Sequence, residues 1–174
     1  MKHALALLPA LALLGVASTA SATQPDVAIG VAAGVDYSAA DQIFEDDSNT
    51  SFAWGFFVDI PLTDTFMISP QTTIYELDFA GSEGSEAVTD VGLNFKFLIP
   101  LNKLRLGGGI LAGGTTGLGD YRLHYGLVGQ LDFNLISNID GFVMAQYKRI
   151  DVGDSLLNED ISKVHAFAGA MFRF

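Results

Sequence analysis

The chain has no cysteine, and it carries only nine Lys and Arg against 20 Asp and Glu. Without cysteine no disulfide can staple a small, loop-rich scaffold. The scarcity of basic residues argues against nucleic acid as a partner, because nucleic acid needs a basic surface. Long apolar runs are missing too. The best one, Ala4–Ala17, is broken by Pro9 and falls short of the ~20 residues of a spanning helix. The glycine-rich stretch from Leu106 to Gly119 is a poor helix, since each Gly costs about 1 kcal/mol relative to Ala.

What is present pulls in two directions. The formal net charge is −11, yet 49% of the residues are apolar and the mean hydropathy is +0.35. The first residues account for part of this. Lys2 and His3 lead into the Ala4–Ala17 core, and Ala20-Ser21-Ala22 forms a small-residue exit. This is the pattern of a cleaved signal peptide at residues 1–22. It implies a single exported domain at 23–174. With no helix to carry it, the remaining apolar surface must lie on strands.

The side-chain pattern has period two, as strands require. In Tyr121–Leu135, Tyr121, Leu123, Tyr125, Leu127, Leu131, Phe133 and Leu135 oppose Arg122, His124, Gln130, Asp132 and Asn134. Similar alternation places Asp36, Asp59, Asp90, Lys96, Lys148, Lys163, His165 and Arg173 on polar faces, opposite Trp54, Phe56, Phe95, Phe97, Phe172 and Phe174. Arg105 falls in the polar phase of a glycine-rich strand. In Thr65–Phe79 the apolar phase changes between Ile74 and Tyr75, which predicts a bulge. Eight strands result. Three tight connections, Ile60–Asp64, Ile99–Lys103 and Ile136–Asp140, alternate with four longer, mostly acidic ones at Ala39–Thr50, Ala80–Ser85, Thr116–Asp120 and Val152–Glu159.

Alternation alone fits a soluble sandwich or lipocalin-like barrel as well as a membrane barrel. Bulk decides between them. The large residues sit on the apolar face and small ones on the polar face, and a small barrel has room inside only for the second set. Six basic residues (Lys96, Arg105, Arg122, Lys148, Lys163 and Arg173) share the polar phase. Each would cost about 2–4 kcal/mol facing lipid at the midplane. An open sheet would leave backbone groups unpaired in hydrocarbon, so the strands must close. The expected fold is all-β: an eight-stranded antiparallel transmembrane up-and-down β-barrel.

The leader, the short and long connections, the aromatic residues near strand ends and the terminal Phe174 together resemble the small eight-stranded outer-membrane β-barrels of Gram-negative bacteria, of the OmpX and OmpA-membrane-domain kind. The resemblance covers the whole chain after the leader. It implies periplasmic termini and tight turns, acidic loops on the outside, outer-membrane lipid as surroundings, and recognition of Phe172 and Phe174 by the barrel-assembly machinery. It leaves function open, because such barrels include anchors, adhesins, small channels and lipid-modifying enzymes.

The expected interior is a network of Asp36, Asp59, Asp90, Lys96, Arg105, Arg122, His124, Asp132, Lys148, Lys163, His165 and Arg173 that pairs its charges and plugs the lumen. A narrow solute or ion channel is the alternative. A lipid-A-modifying enzyme would need His124 with Asp120 and Tyr121, or His165 with Ser162, as a nucleophile–base set. The His-x-Ser-Asn signature of lipid A deacylase barrels is missing. The acidic groups Asp41, Glu45, Asp46 and Asp47, and Asp151, Asp154, Glu159 and Asp160, lack the EF-hand spacing. The expectation is a monomer without enzymatic activity, cofactor or metal, with an extracellular partner reached through the acidic loops.

Overall fold

Every strand of this chain must satisfy its backbone groups on both edges, and the computed structural model shows how it does so. The structure describes residues 26–40, 48–79, 84–118, 120–151 and 160–174. The expected leader, and Asp41, Glu45, Asp46, Asp47, Asp154 and Glu159, lie outside the described residues. Eight strands follow in order: β1 (Ala28–Ala39), β2 (Ser48–Pro61), β3 (Phe66–Asp78), β4 (Ser85–Leu101), β5 (Leu104–Leu118), β6 (Asp120–Ile136), β7 (Ile139–Ile150) and β8 (Ile161–Arg173). Each pairs antiparallel with its sequence neighbours, and β8 pairs with β1, so the sheet closes. The strands run 12 to 17 residues, enough for the ~9–11 residues of a tilted membrane-spanning strand.

The closing seam holds the end of β8 in place. Ala28 pairs with Arg173 and Ile29 with Phe172, and the Phe174 amide donates to the Val27 carbonyl at 3.0 Å. Phe172 and Phe174 stand outward with their rings edge to face, 5.1 Å apart. Three tight turns share this end of the barrel, here called the turn end; the opposite rim is the loop end. At the β4–β5 turn, Asn102 takes a φ of 54°, the left-handed conformation that Asn tolerates better than most residues.

The outer surface is apolar on all sides. Large exposed residues include Val31 on β1, Phe52 and Phe56 on β2, Leu93 and Phe97 on β4, Ile110 on β5, Leu123 and Leu127 on β6, Tyr147 on β7 and Val164 on β8. Water-soluble monomers rarely expose contiguous apolar patches beyond a few hundred Å²; here the apolar surface goes right around a closed barrel. Buried Asp, Lys, Arg and His occupy the inside. This inverted arrangement is that of a transmembrane barrel.

The structure corrects three local expectations. β3 carries no bulge: Met67, Ser69, Gln71, Thr73, Tyr75 and Leu77 all point inward without a break, in constant register with β4. The apparent phase change arose because Tyr75 and Leu77 are large residues that face the lumen. Register shifts occur instead between Thr115 and Leu118 and between Asn134 and Ile136. The Thr116–Asp120 connection is a tight hairpin, since β5 runs to Leu118 and β6 starts at Asp120. Finally, Phe133 lies in the outward phase but is only 1% exposed. Its ring lies over its cross-strand partner Gly141, an aromatic cover for a backbone that has no side chain of its own.

Glycine on the inner wall lets strands approach closely. A Cβ on Gly107 would sit 1.8 Å from the Phe97 carbonyl oxygen, and one on Gly126 1.8 Å from that of Tyr147. Neither obstacle can move, because both carbonyls belong to neighbouring strands. Gly107→Val or Gly126→Val should therefore yield no heat-modifiable barrel on unheated gels. Gly129→Ala should fold normally, because an added Cβ there meets nothing within 4 Å.

Candidate functional site

The interior is the only place where this chain gathers its chemistry among the described residues, and each strand contributes alternate residues to it. Ordered along the barrel axis, these side chains form layers.

The layer toward the turn end is ionic. Lys96 donates to Asp59 at 2.8 Å and to the Gln130 side-chain Oε1 at 2.7 Å. The Ser69 hydroxyl also donates to Asp59, and the Gln130 amide donates to Asp132 at 2.6 Å. Arg105 lies between Asp132 and Asp140, at 3.2 and 3.3 Å. Arg173 reaches Asp140 at 2.8 Å and the Ser137 carbonyl at 2.8 Å. Three cations, Lys96, Arg105 and Arg173, thus face three carboxylates, Asp59, Asp132 and Asp140.

A second ionic layer lies toward the loop end. Lys148 bonds Asp90 at 3.0 Å. The same carboxylate accepts from the Tyr75 phenol at 3.0 Å and the Thr115 hydroxyl at 2.8 Å. Lys163 stands 3.5 Å from Asp36 and 2.9 Å from the centroid of the Tyr75 ring, an ion pair combined with a cation–π contact. The His165 Nε2 lies 2.6 Å from Asp36. His124 joins through the Thr115 hydroxyl at 3.0 Å. Two lysines balance two aspartates here, so neither layer needs a counter-ion.

A neutral layer separates the two. On one side Phe57 packs edge to face with Phe142 and with Phe167, each 5.6 Å away. On the other side, amides interlock: Gln146 donates to Gln71 at 2.7 Å and Asn94 donates to Gln71 at 2.8 Å. The strand order enforces this placement. Gln71 lies between Ser69 and Tyr75 on β3, and Asn94 between Lys96 and Asp90 on β4. Beyond the loop-end ionic layer, Leu77, Val88, Ile150 and Ile161 are each at most 1% exposed. Each stands one inward step past Tyr75, Asp90, Lys148 or Lys163, so the ionic layer is capped by aliphatic side chains.

The expected network residues therefore divide into two groups. Asp59, Lys96, Arg105, Asp132 and Arg173 come together at the turn end, and Asp36, Asp90, His124, Lys148, Lys163 and His165 at the loop end. Arg122 stands toward the loop-end rim, 3.7 Å from the exposed Asp120. The histidine sets do not assemble as a catalytic triad would. Ser162 shares no hydrogen bond with His165; it pairs across the sheet with Arg149. The Ser38 hydroxyl donates to Asp36 and the His165 Nε2 lies against that carboxylate, so hydroxyl and imidazole meet the same group and not each other. His124 and Asp120 are likewise apart, because Asp120 stands in solvent beside Arg122.

Sequence reasoning missed Asp140, Tyr75 and the phenylalanines. Asp140 is the shared acceptor for Arg105, Arg173 and Asn134. Its signal was its inward phase with Gln146 and Lys148, obscured by its position beside a tight turn. Phe57, Phe142 and Phe167 were hidden because aromatic residues were expected to face lipid.

Lys148 and Asp90 are buried to 0% and 1% side-chain exposure. Removing one partner of such a pair strands the other charge, at about 3–5 kcal/mol. Lys148→Met should lower unfolding stability in urea by that amount. Adding Asp90→Asn should recover most of the loss, since the amide still accepts from Tyr75 and Thr115.

No protein-family profile and no curated protein sequence matches the chain. Solved structures do. Neisserial surface protein A, NspA, superposes with a TM-score of 0.63 at 10% identity, covering 88% of this chain and 100% of that one. Ail, the attachment invasion locus protein of Yersinia pestis, superposes with a TM-score of 0.50 at 17% identity, covering 86% and 100%. Identities this low speak to fold. Together with the closed eight-stranded sheet and the inverted distribution of apolar surface, they give the chain the fold of the small eight-stranded outer-membrane β-barrels.

Proposed function

We propose that the protein is a monomeric, non-enzymatic barrel of the outer membrane, with its lumen closed by the layered network and its work done at the surface. The observation that carries this reading is the neutral middle layer. Phe57, Phe142 and Phe167 with the Gln71–Gln146–Asn94 amides occupy the level between two charge-balanced clusters. An ion crossing that level would exchange water for aromatic rings and amides already bonded to each other. An eight-stranded barrel is only wide enough for its own side chains to fill.

In this reading the leader at 1–22 directs export, and the termini and tight turns face the periplasm. The longer acidic connections then reach outside, where an extracellular partner would bind. The names of the two structural neighbours, a surface protein and an attachment invasion locus protein, agree with a surface role. Phe172 and Phe174, outward on the strand that closes the barrel, suit recognition by the barrel-assembly machinery.

One observation favours the narrow-channel alternative. β3 presents Ser69, Gln71, Thr73 and Tyr75 inward in succession, so polar groups line one wall through all three layers. Planar bilayers decide between the readings. The parent protein should stay silent at all voltages, whereas discrete conductance changed by Gln71→Ala would establish the channel and sink the plug.

The surface and assembly roles have separate tests. Shortening Ala39–Thr50 should abolish binding to the extracellular partner while the barrel remains heat-modifiable. Removing Phe174 should lower the yield of assembled barrel in membranes; an unchanged yield would count against its role in assembly.

A further inference from the structure

Arg149 is the one basic residue of the described strands whose side chain stands in the outward phase. It lies near the loop end of β7 with half of its side chain exposed, on a rim where the other basic side chain, Arg122, belongs to the inward phase. The strand register fixes its surroundings. Tyr125 is its cross-strand neighbour on β6, and Ser162 its neighbour on β8. Tyr147 stands one outward step toward the turn end, and both tyrosines are exposed. Two phenols, a serine hydroxyl and a guanidinium thus share one small area. The carboxylate of Asp160 engages the Arg149 Nε at 2.7 Å. A guanidinium has five N–H donors and one carboxylate does not exhaust them, so the pair retains donor capacity for a second oxyanion.

A second feature continues from this one toward the middle of the barrel. Below Tyr147, Ala145 has Gly129 and Ala166 as its cross-strand neighbours. All three are exposed, and a Cβ placed on Gly129 would meet nothing within 4 Å. Leu127 and Val164, on either side of Tyr147, are large and exposed. The outer wall therefore has a shallow depression floored by small residues, separated from its outward cation by the Leu127–Tyr147–Val164 row.

We propose that this face of β6, β7 and β8 binds one phosphorylated lipid of the surrounding leaflet. The phosphate rests on Arg149, Tyr125 and Ser162, and an acyl chain lies along Gly129, Ala145 and Ala166. Charge complementarity argues for this occupant. The rim acids repel anionic headgroups, and Arg149 is the outward point that attracts them. A soluble anion would use the guanidinium but gain nothing from the depression. The proposal rests on the reading that the barrel spans a bilayer with its loop end among headgroups.

The test uses the full chain refolded in detergent, with native mass spectrometry counting retained lipid. The probes are phosphatidylglycerol, a diacylglycerol with the same chains, and inorganic phosphate. The parent should retain one phosphatidylglycerol in preference to diacylglycerol. Arg149→Gln should lower that retention about tenfold, the loss of one charge-assisted contact, while Arg149→Lys keeps part of it. Gly129→Leu should weaken lipid retention by filling the depression, and Lys103→Gln, at the turn end, should change nothing. Undiminished retention by Arg149→Gln, or equal retention of diacylglycerol, would overturn the proposal. Displacement of the lipid by millimolar phosphate would reduce the site to a soluble-anion contact and overturn it as a lipid site. Gel mobility of unheated samples monitors the barrel separately. A parent chain that never becomes heat-modifiable in lipid would refute the membrane-barrel reading itself.

Discussion

Backbone hydrogen bonding in a medium without water is the constraint on which this structure depends. In hydrocarbon each unpaired N–H or C=O costs several kcal/mol, so a sheet that crosses a membrane cannot have edges. The β1–β8 seam meets that demand. Its register is continuous from Ala28↔Arg173 to Ala39↔Ser162, and the Phe174–Val27 bond adds one more rung. Closure makes the two faces of the sheet unequal. The outside meets lipid and must be apolar; the inside becomes a narrow space that residues of all eight strands must fill together.

The interior chemistry follows from that confinement. Charges expelled from the lipid face have nowhere to go but the lumen, where an unpaired ion is expensive. The chain resolves this by pairing them in two balanced layers with neutral packing between. Side chains and glycines fit together to make the room. Phe142 approaches Gly169, where an added Cβ would lie 2.8 Å from its ring. Gly126 faces Lys148 and Gly109 faces Lys96 across the sheet. Small residues on the inner wall thus serve to admit long side chains from the strands beside them, and the lumen is no looser for having so many.

The same logic gives the outer surface its few exceptions. Phe133 folds over Gly141, and Tyr121 leans over Gly114, so aromatic rings mend gaps where the wall lacks side chains. Gly129 has no such cover, and it lies below the one outward guanidinium. On a surface that lipid otherwise meets as a uniform apolar wall, that pairing of a cation with a depression is a local departure from uniformity.

Period-two alternation determined the strands, their faces and the inversion of apolar and polar surface, because a strand's side chains can point only two ways. The sequence therefore sufficed to place Lys96, Lys148 and Arg173 indoors and Phe172 and Phe174 outdoors. It could not say which inward groups meet. Lys148 on β7 finds Asp90 on β4, Lys96 on β4 finds Asp59 on β2, and Gln146 on β7 finds Gln71 on β3. These contacts cross the lumen between strands that are not neighbours in the sheet. They depend on strand tilt and stagger, which only the closed barrel fixes. Nor could alternation tell that Phe57, Tyr75 and Leu77 belong inside, since face follows from phase but occupancy follows from the space left by everything else. The faces were local and readable; the partners were global and awaited closure.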